Sequence, residues 1–98
     1  MRINFERTGG FAGMQVSKVV DTANLTGDEA NQLRLLVDTA NFFSLPATIN
    51  SNTQADRFQY QITVEDDGQK HTVVVSEQAA PGTLKPLLEW LMAAARGK

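Results

Sequence analysis

His71 is the one histidine of the sequence, and there is no cysteine. A general base needs a nucleophile or an orienting partner within reach, and a metal centre needs several ligands. Neither an H-x-x-x-H spacing nor a serine elbow is present, so His71 reads as a residue opening a strand. Without cysteine, disulfides, thiolate zinc sites and thiol catalysis are excluded. Glu65, Asp66 and Asp67 are the densest acidic group. A calcium loop of the EF-hand kind spreads oxygen ligands over about twelve residues, with glycine sixth and glutamate last. Here Gly68 follows at once, so the acids read as the solvated tip of a hairpin. No catalytic residue, cofactor or metal is therefore expected, and the chain reads as a binding protein rather than an enzyme.

The aromatic residues offer more. Phe58 and Tyr60 share one strand, as do the stacking aromatics of RNA-binding sheets. They also share a face with Ile62 and Val64, which places them against the core. Trp90 falls beside the leucine stripe of the last helix, where it either closes the edge of the core or faces a partner. Phe11 has a different setting, because Gly9-Gly10-Phe11-Ala12-Gly13 supplies nothing large to bury it. Two readings stand open there. Phe11 folds back over the sheet edge, or it stands as an aromatic anchor on a loop tip, a residue type that carries binding energy. Arg7 and Thr8, at the root of that loop, brace it or meet a partner's rim.

These residues must be positioned by elements that the pattern predicts. Met1, Ile3 and Phe5 alternate with polar neighbours, as in a half-buried strand. After a glycine-rich connection over Thr8–Gly13, residues Met14–Val20 resume an extended run, giving a hairpin. Thr26 and Glu29 form a capping box, with Asp28 and Glu29 favoured by the helix dipole. Ala30, Leu33, Leu36, Val37 and Ala40 make one apolar stripe, and Asn41 and Pro46 end the helix. Thr48–Gln54 is polar and predicts a loop, longer than most in a compact domain. Phe58–Glu65 alternates strictly, Asp66-Asp67-Gly68 turns, and His71–Val75 returns. Thr83 is expected to cap a last helix, with Pro86 in its first turn, Gly97 at its end, and Leu84, Leu87, Leu88, Leu91 and Ala95 facing inward. The fold class is α+β in the order β-β-α-β-β-α. The expected architecture is a four-stranded antiparallel sheet with two helices packed on one face.

Composition bounds the function. The 98 residues suit one domain, expected to span 1–98, and 42% hydrophobic with 20% charged residues is ordinary globular usage. A net charge of −2 with scattered basic residues gives no field for phosphates, so no nucleic-acid partner is expected. The start carries no apolar run of signal-peptide length, and nothing approaches the roughly 20 apolar residues of a membrane span. A cytoplasmic protein with no membrane partner is the expectation.

The segments Ile3–Gly13, Leu36-Val37-Asp38, Phe42–Pro46, Asp56–Tyr60, Ile62–Glu65 and Pro86–Leu91 together resemble the emfourin family. Gly9–Gly13 is the most specific part of that likeness; Asn4 and the middle of the second strand depart from it. The resemblance implies a single-domain inhibitor of protealysin-like, thermolysin-like zinc metallopeptidases. It would act by tight reversible protein–protein binding that blocks the active-site cleft. Its protease-binding residues would be Arg7, Thr8, Gly9, Gly10, Phe11, Ala12 and Gly13. The alternative is a non-inhibitory interaction or scaffold domain that uses the Trp90 side.

Overall fold

The computed structural model describes residues 1–8, 15–49, 58–76 and 79–95. Strand β1 is Arg2–Thr8, β2 Val16–Asp21, β3 Thr48–Ile49, β4 Gln59–Asp66 and β5 Gln69–Ser76. Helix α1 spans Gly27–Ala40 and α2 Lys85–Ala95. The five strands form one sheet in the order β2-β1-β4-β5-β3. All pairs are antiparallel except β3 with β5, which run parallel.

The α+β class holds, but the sheet is five-stranded and mixed rather than four-stranded and antiparallel. The correction comes from Thr48–Ile49, expected as the start of a loop. Thr48 pairs with Val74 and Ile49 with Val75, and the Val74 amide donates to the Ala47 carbonyl at 2.8 Å. Two residues carry no alternation to detect. Their pairing is instead dictated by the open edge of β5, whose Val73–Val75 run has backbone groups to satisfy.

Local signals behave as the residue types require. The Thr26 side chain accepts from the Glu29 amide at 3.1 Å, and the Glu29 carboxylate accepts from the Thr26 amide at 3.3 Å. Asn41 stops α1 in the left-handed region at φ 52°, a conformation Asn tolerates better than most side chains. Asp67 (φ 51°) and Gly68 (φ 82°) link β4 to β5 with the positive angles that a type I′ turn demands. Two details differ. Strand β2 begins at Val16 rather than Met14, which lies outside the described residues. Thr83 lies in the turn ahead of α2, where the Leu84 and Lys85 amides donate to the Pro81 carbonyl. The helix starts at Lys85, one turn position later than a Thr83 cap would set it. Gly97 lies outside the described residues.

One buried cluster joins the sheet to both helices: Ile3, Phe5, Val20, Tyr60, Ile62, Val64, Val73 and Val75 from the strands, Leu33, Val37 and Ala40 from α1, and Leu87, Leu88 and Leu91 from α2, with Leu84 just ahead of it. Phe42, in a short 3-10 turn over Phe42–Ser44, completes it. Phe58, expected in this core, is only half-buried and lies outside it. The other sheet face is polar, with Thr63 and Thr72 joined at 2.8 Å between their hydroxyls.

Candidate functional site

Register places the connections that follow β1, β3 and β5 at one end of the sheet. Arg7 lies opposite Val16 and Tyr60, Thr8 opposite Gln59, Gln59 opposite Ser76, and Ile49 opposite Val75. The chain therefore leaves β1 after Thr8, β3 after Ile49 and β5 after Ser76 from the same rim, and enters β2 and β4 there. Of the residues expected to bind a partner, Arg7 and Thr8 are thus set at this rim. Gly9, Gly10, Phe11, Ala12 and Gly13 lie outside the described residues.

Alternation along β1 puts Arg7 on the same face as Ile3 and Phe5. Phe5 stacks on Tyr60 with ring centroids 5.9 Å apart. One step further toward the rim, the Arg7 guanidinium carbon sits 3.6 Å from the centroid of the Phe58 ring. This is a cation–π contact between the last turn-facing part of β1 and the residue that precedes β4. The Arg7 Nε is buried and has no hydrogen-bond partner among the described residues. No carboxylate among those residues pairs with Arg7; the ion pair found there joins the Met1 amino group and Asp66 at 3.7 Å. Among the described residues, stacking on Phe58 is the contact that holds the guanidinium.

The remaining sequence candidates separate from this rim. His71 faces the core side, where its Nε2 lies 2.7 Å from the Leu45 carbonyl and its ring packs edge-on to Phe42 at 5.7 Å. It ties β5 to the 3-10 turn. Glu65, Asp66 and Asp67 sit at the opposite end of the sheet, and among the described residues no group of three acidic, histidine or cysteine side chains could hold a metal ion. Tyr60 is buried, as expected of a core aromatic. Trp90 is partly buried against the core and also lines a cleft of about 500 Å³ with Val19, Leu25, Gln32 and Ala94.

Sequence reasoning found Arg7 but missed Phe58 as its partner. Phe58 continues the alternation of Tyr60, Ile62 and Val64, so its pattern is that of a core residue. Only the cross-strand register of β1 with β4 brings it beneath Arg7. Among the described residues, no helix is long and apolar enough to cross a membrane.

No curated protein matches the sequence. Among solved structures, the chain is similar to emfourin (M4in) from Serratia proteamaculans, an M4 family peptidase inhibitor. The two are 19% identical, the match covers 88% of this chain and 83% of that one, and the TM-score is 0.48. The family model that matches, over residues 5–92, is that of emfourin. The chain belongs to the emfourin family.

Proposed function

We propose that this chain, as one domain over residues 1–98, inhibits thermolysin-like zinc metallopeptidases of the protealysin kind. It does so by tight, reversible protein–protein binding that blocks the active-site cleft. Family membership across residues 5–92 is the observation that carries the reading. The contact surface is the loop end of the sheet: Arg7 and Thr8 together with Gly9, Gly10, Phe11, Ala12 and Gly13. A bulky apolar side chain just after the scissile bond is what such peptidases prefer, by the family resemblance, and Phe11 has that chemistry. Glycines around it allow close backbone approach. Every residue ordered on binding subtracts from affinity, so the paired strands beneath must fix the root of the loop. The setting is the cytoplasm, where the inhibitor would restrain its target inside the cell that makes both.

Inhibition occurs by occlusion rather than by withdrawal of zinc, since a competing zinc site needs several ligands and the sequence holds one His and no Cys. The test is hydrolysis of a peptide substrate by a thermolysin-like peptidase, titrated with the purified chain, in the presence and absence of added zinc. Saturable inhibition that persists in micromolar zinc is the expected result. Failure to inhibit at any concentration overturns the function, and relief by zinc overturns the mechanism.

A further inference from the structure

The Arg7–Phe58 contact has the form of a prepared ligand-binding group. Arginine stacked on an aromatic face keeps its in-plane N–H donors directed outward, in the fork that matches a carboxylate. Nε is sequestered, so a partner meets the terminal amino groups. The side chain is half-buried at the rim from which residues 9–14 depart, and no acidic side chain among the described residues neutralises it. An ordinary surface arginine loses much rotamer freedom when it is captured. One already held against a ring loses less.

We propose that Arg7 takes a carboxylate on the surface of the bound peptidase, and that Phe58 is a positioning residue that holds the guanidinium for it. This rests on the inhibitory reading and adds to it a residue, Phe58, and a partner chemistry, an acidic side chain at the rim of the cleft. Three features point the same way: the 3.6 Å stack, an Nε without a hydrogen-bond partner among the described residues, and the placement of both residues at the loop end of the sheet.

Inhibition constants and melting temperatures are to be measured for the parent, Arg7→Gln, Arg7→Lys, Phe58→Leu, Phe58→Tyr and the double variant Arg7→Gln/Phe58→Leu, at low and high salt. A contact to a carboxylate weakens with salt. Arg7→Gln is expected to weaken inhibition about tenfold and to flatten its salt dependence, with Arg7→Lys restoring the salt dependence but only part of the affinity. Phe58→Leu is expected to weaken inhibition roughly three- to tenfold, in line with a partly desolvated cation–π contact. Phe58→Tyr, which keeps the π face, stays within about twofold. The double variant is no weaker than Arg7→Gln alone, because Phe58 acts through Arg7. A parent that inhibits while Phe58→Leu binds equally well overturns this inference and leaves the function standing. So does an unchanged salt dependence in Arg7→Gln, which decides the matter even if Phe58→Leu fails to fold. A parent that inhibits no such peptidase overturns both.

Discussion

The two ends of the sheet solve the same problem in opposite ways. At one end β4 turns into β5 through Asp67 and Gly68 alone, and β2 passes into a 3-10 turn over Thr22–Asn24. Polar groups there find partners: the Met1 amino group donates to the Thr22 hydroxyl at 3.1 Å, and the Thr22 amide donates to the Met1 carbonyl at 2.9 Å. At the other end three connections leave the strands, and the buried Arg7 Nε there has no hydrogen-bond partner among the described residues. A short turn with satisfied polar groups fixes register, while longer connections can be shaped for a partner. The closed end thus pins the pairing of β4 with β5, and the open end is where we propose that recognition falls.

The core lies under both ends, so damage to it should not tell them apart. Leu87 is fully buried where α2 meets the sheet. Leu87→Ala is expected to cost about 2–5 kcal/mol, a large part of the total stability of a small domain. Inhibition should fall only as far as the folded fraction falls, which chemical denaturation and inhibition titrations on the same sample would check. Leu87→Ala melting within a degree or two of the parent would show that α2 contributes little. Phe11→Ala is the converse. It should weaken inhibition by about 2–4 kcal/mol, roughly 30- to 1000-fold, with little change in melting temperature. Normal inhibition by that variant would move the anchor elsewhere on the open end.

How far the sequence discloses this molecule depends on the range of each signal. The capping box of Thr26 and Glu29, the stop at Asn41, the alternation from Tyr60 to Val64 and the Asp67-Gly68 turn are all decided by residues within a few positions of one another. Each is visible in the sequence and present in the structure. Strand β3 is not visible, because two residues become a strand only when β5 offers them an edge. Phe42 resembles a loop aromatic until the 3-10 turn directs it inward. The proposed contact surface divides in the same way: Gly9–Gly13, outside the described residues, stands out by composition alone, whereas Phe58 carries a core residue's pattern. Its contact with Arg7 exists only once β1 and β4 are in register.

A substitution at Gly68 perturbs the closed end alone. Gly68 has φ 82°, a region L side chains rarely adopt, and a Cβ built there would meet nothing within 4 Å. Steric collision with neighbours is thus absent, and the whole penalty of Gly68→Ala comes from the backbone. Left-handed conformation costs an L residue about 1–2 kcal/mol relative to glycine. Part of that is offset because alanine restricts the unfolded chain, a gain of roughly 0.4–1 kcal/mol where no strain exists. A net loss near 1 kcal/mol, about 4–8 °C in melting temperature for a domain of this size, is the expectation. The type I′ turn sets the pairing of Asp66 with Gln69 and, through the ladder, of Gln59 with Ser76 at the far end. If register were loose, the substitution would disturb the rim and weaken inhibition. Six further paired positions and the buried faces of β4 and β5 hold it, since a one-residue slip would turn every core side chain outward. Gly68→Ala should therefore lower the melting temperature and leave the inhibition constant within about twofold of the parent. Inhibition falling tenfold in that variant, at temperatures where it is fully folded, would show that the two ends are coupled and that recognition is not confined to one of them.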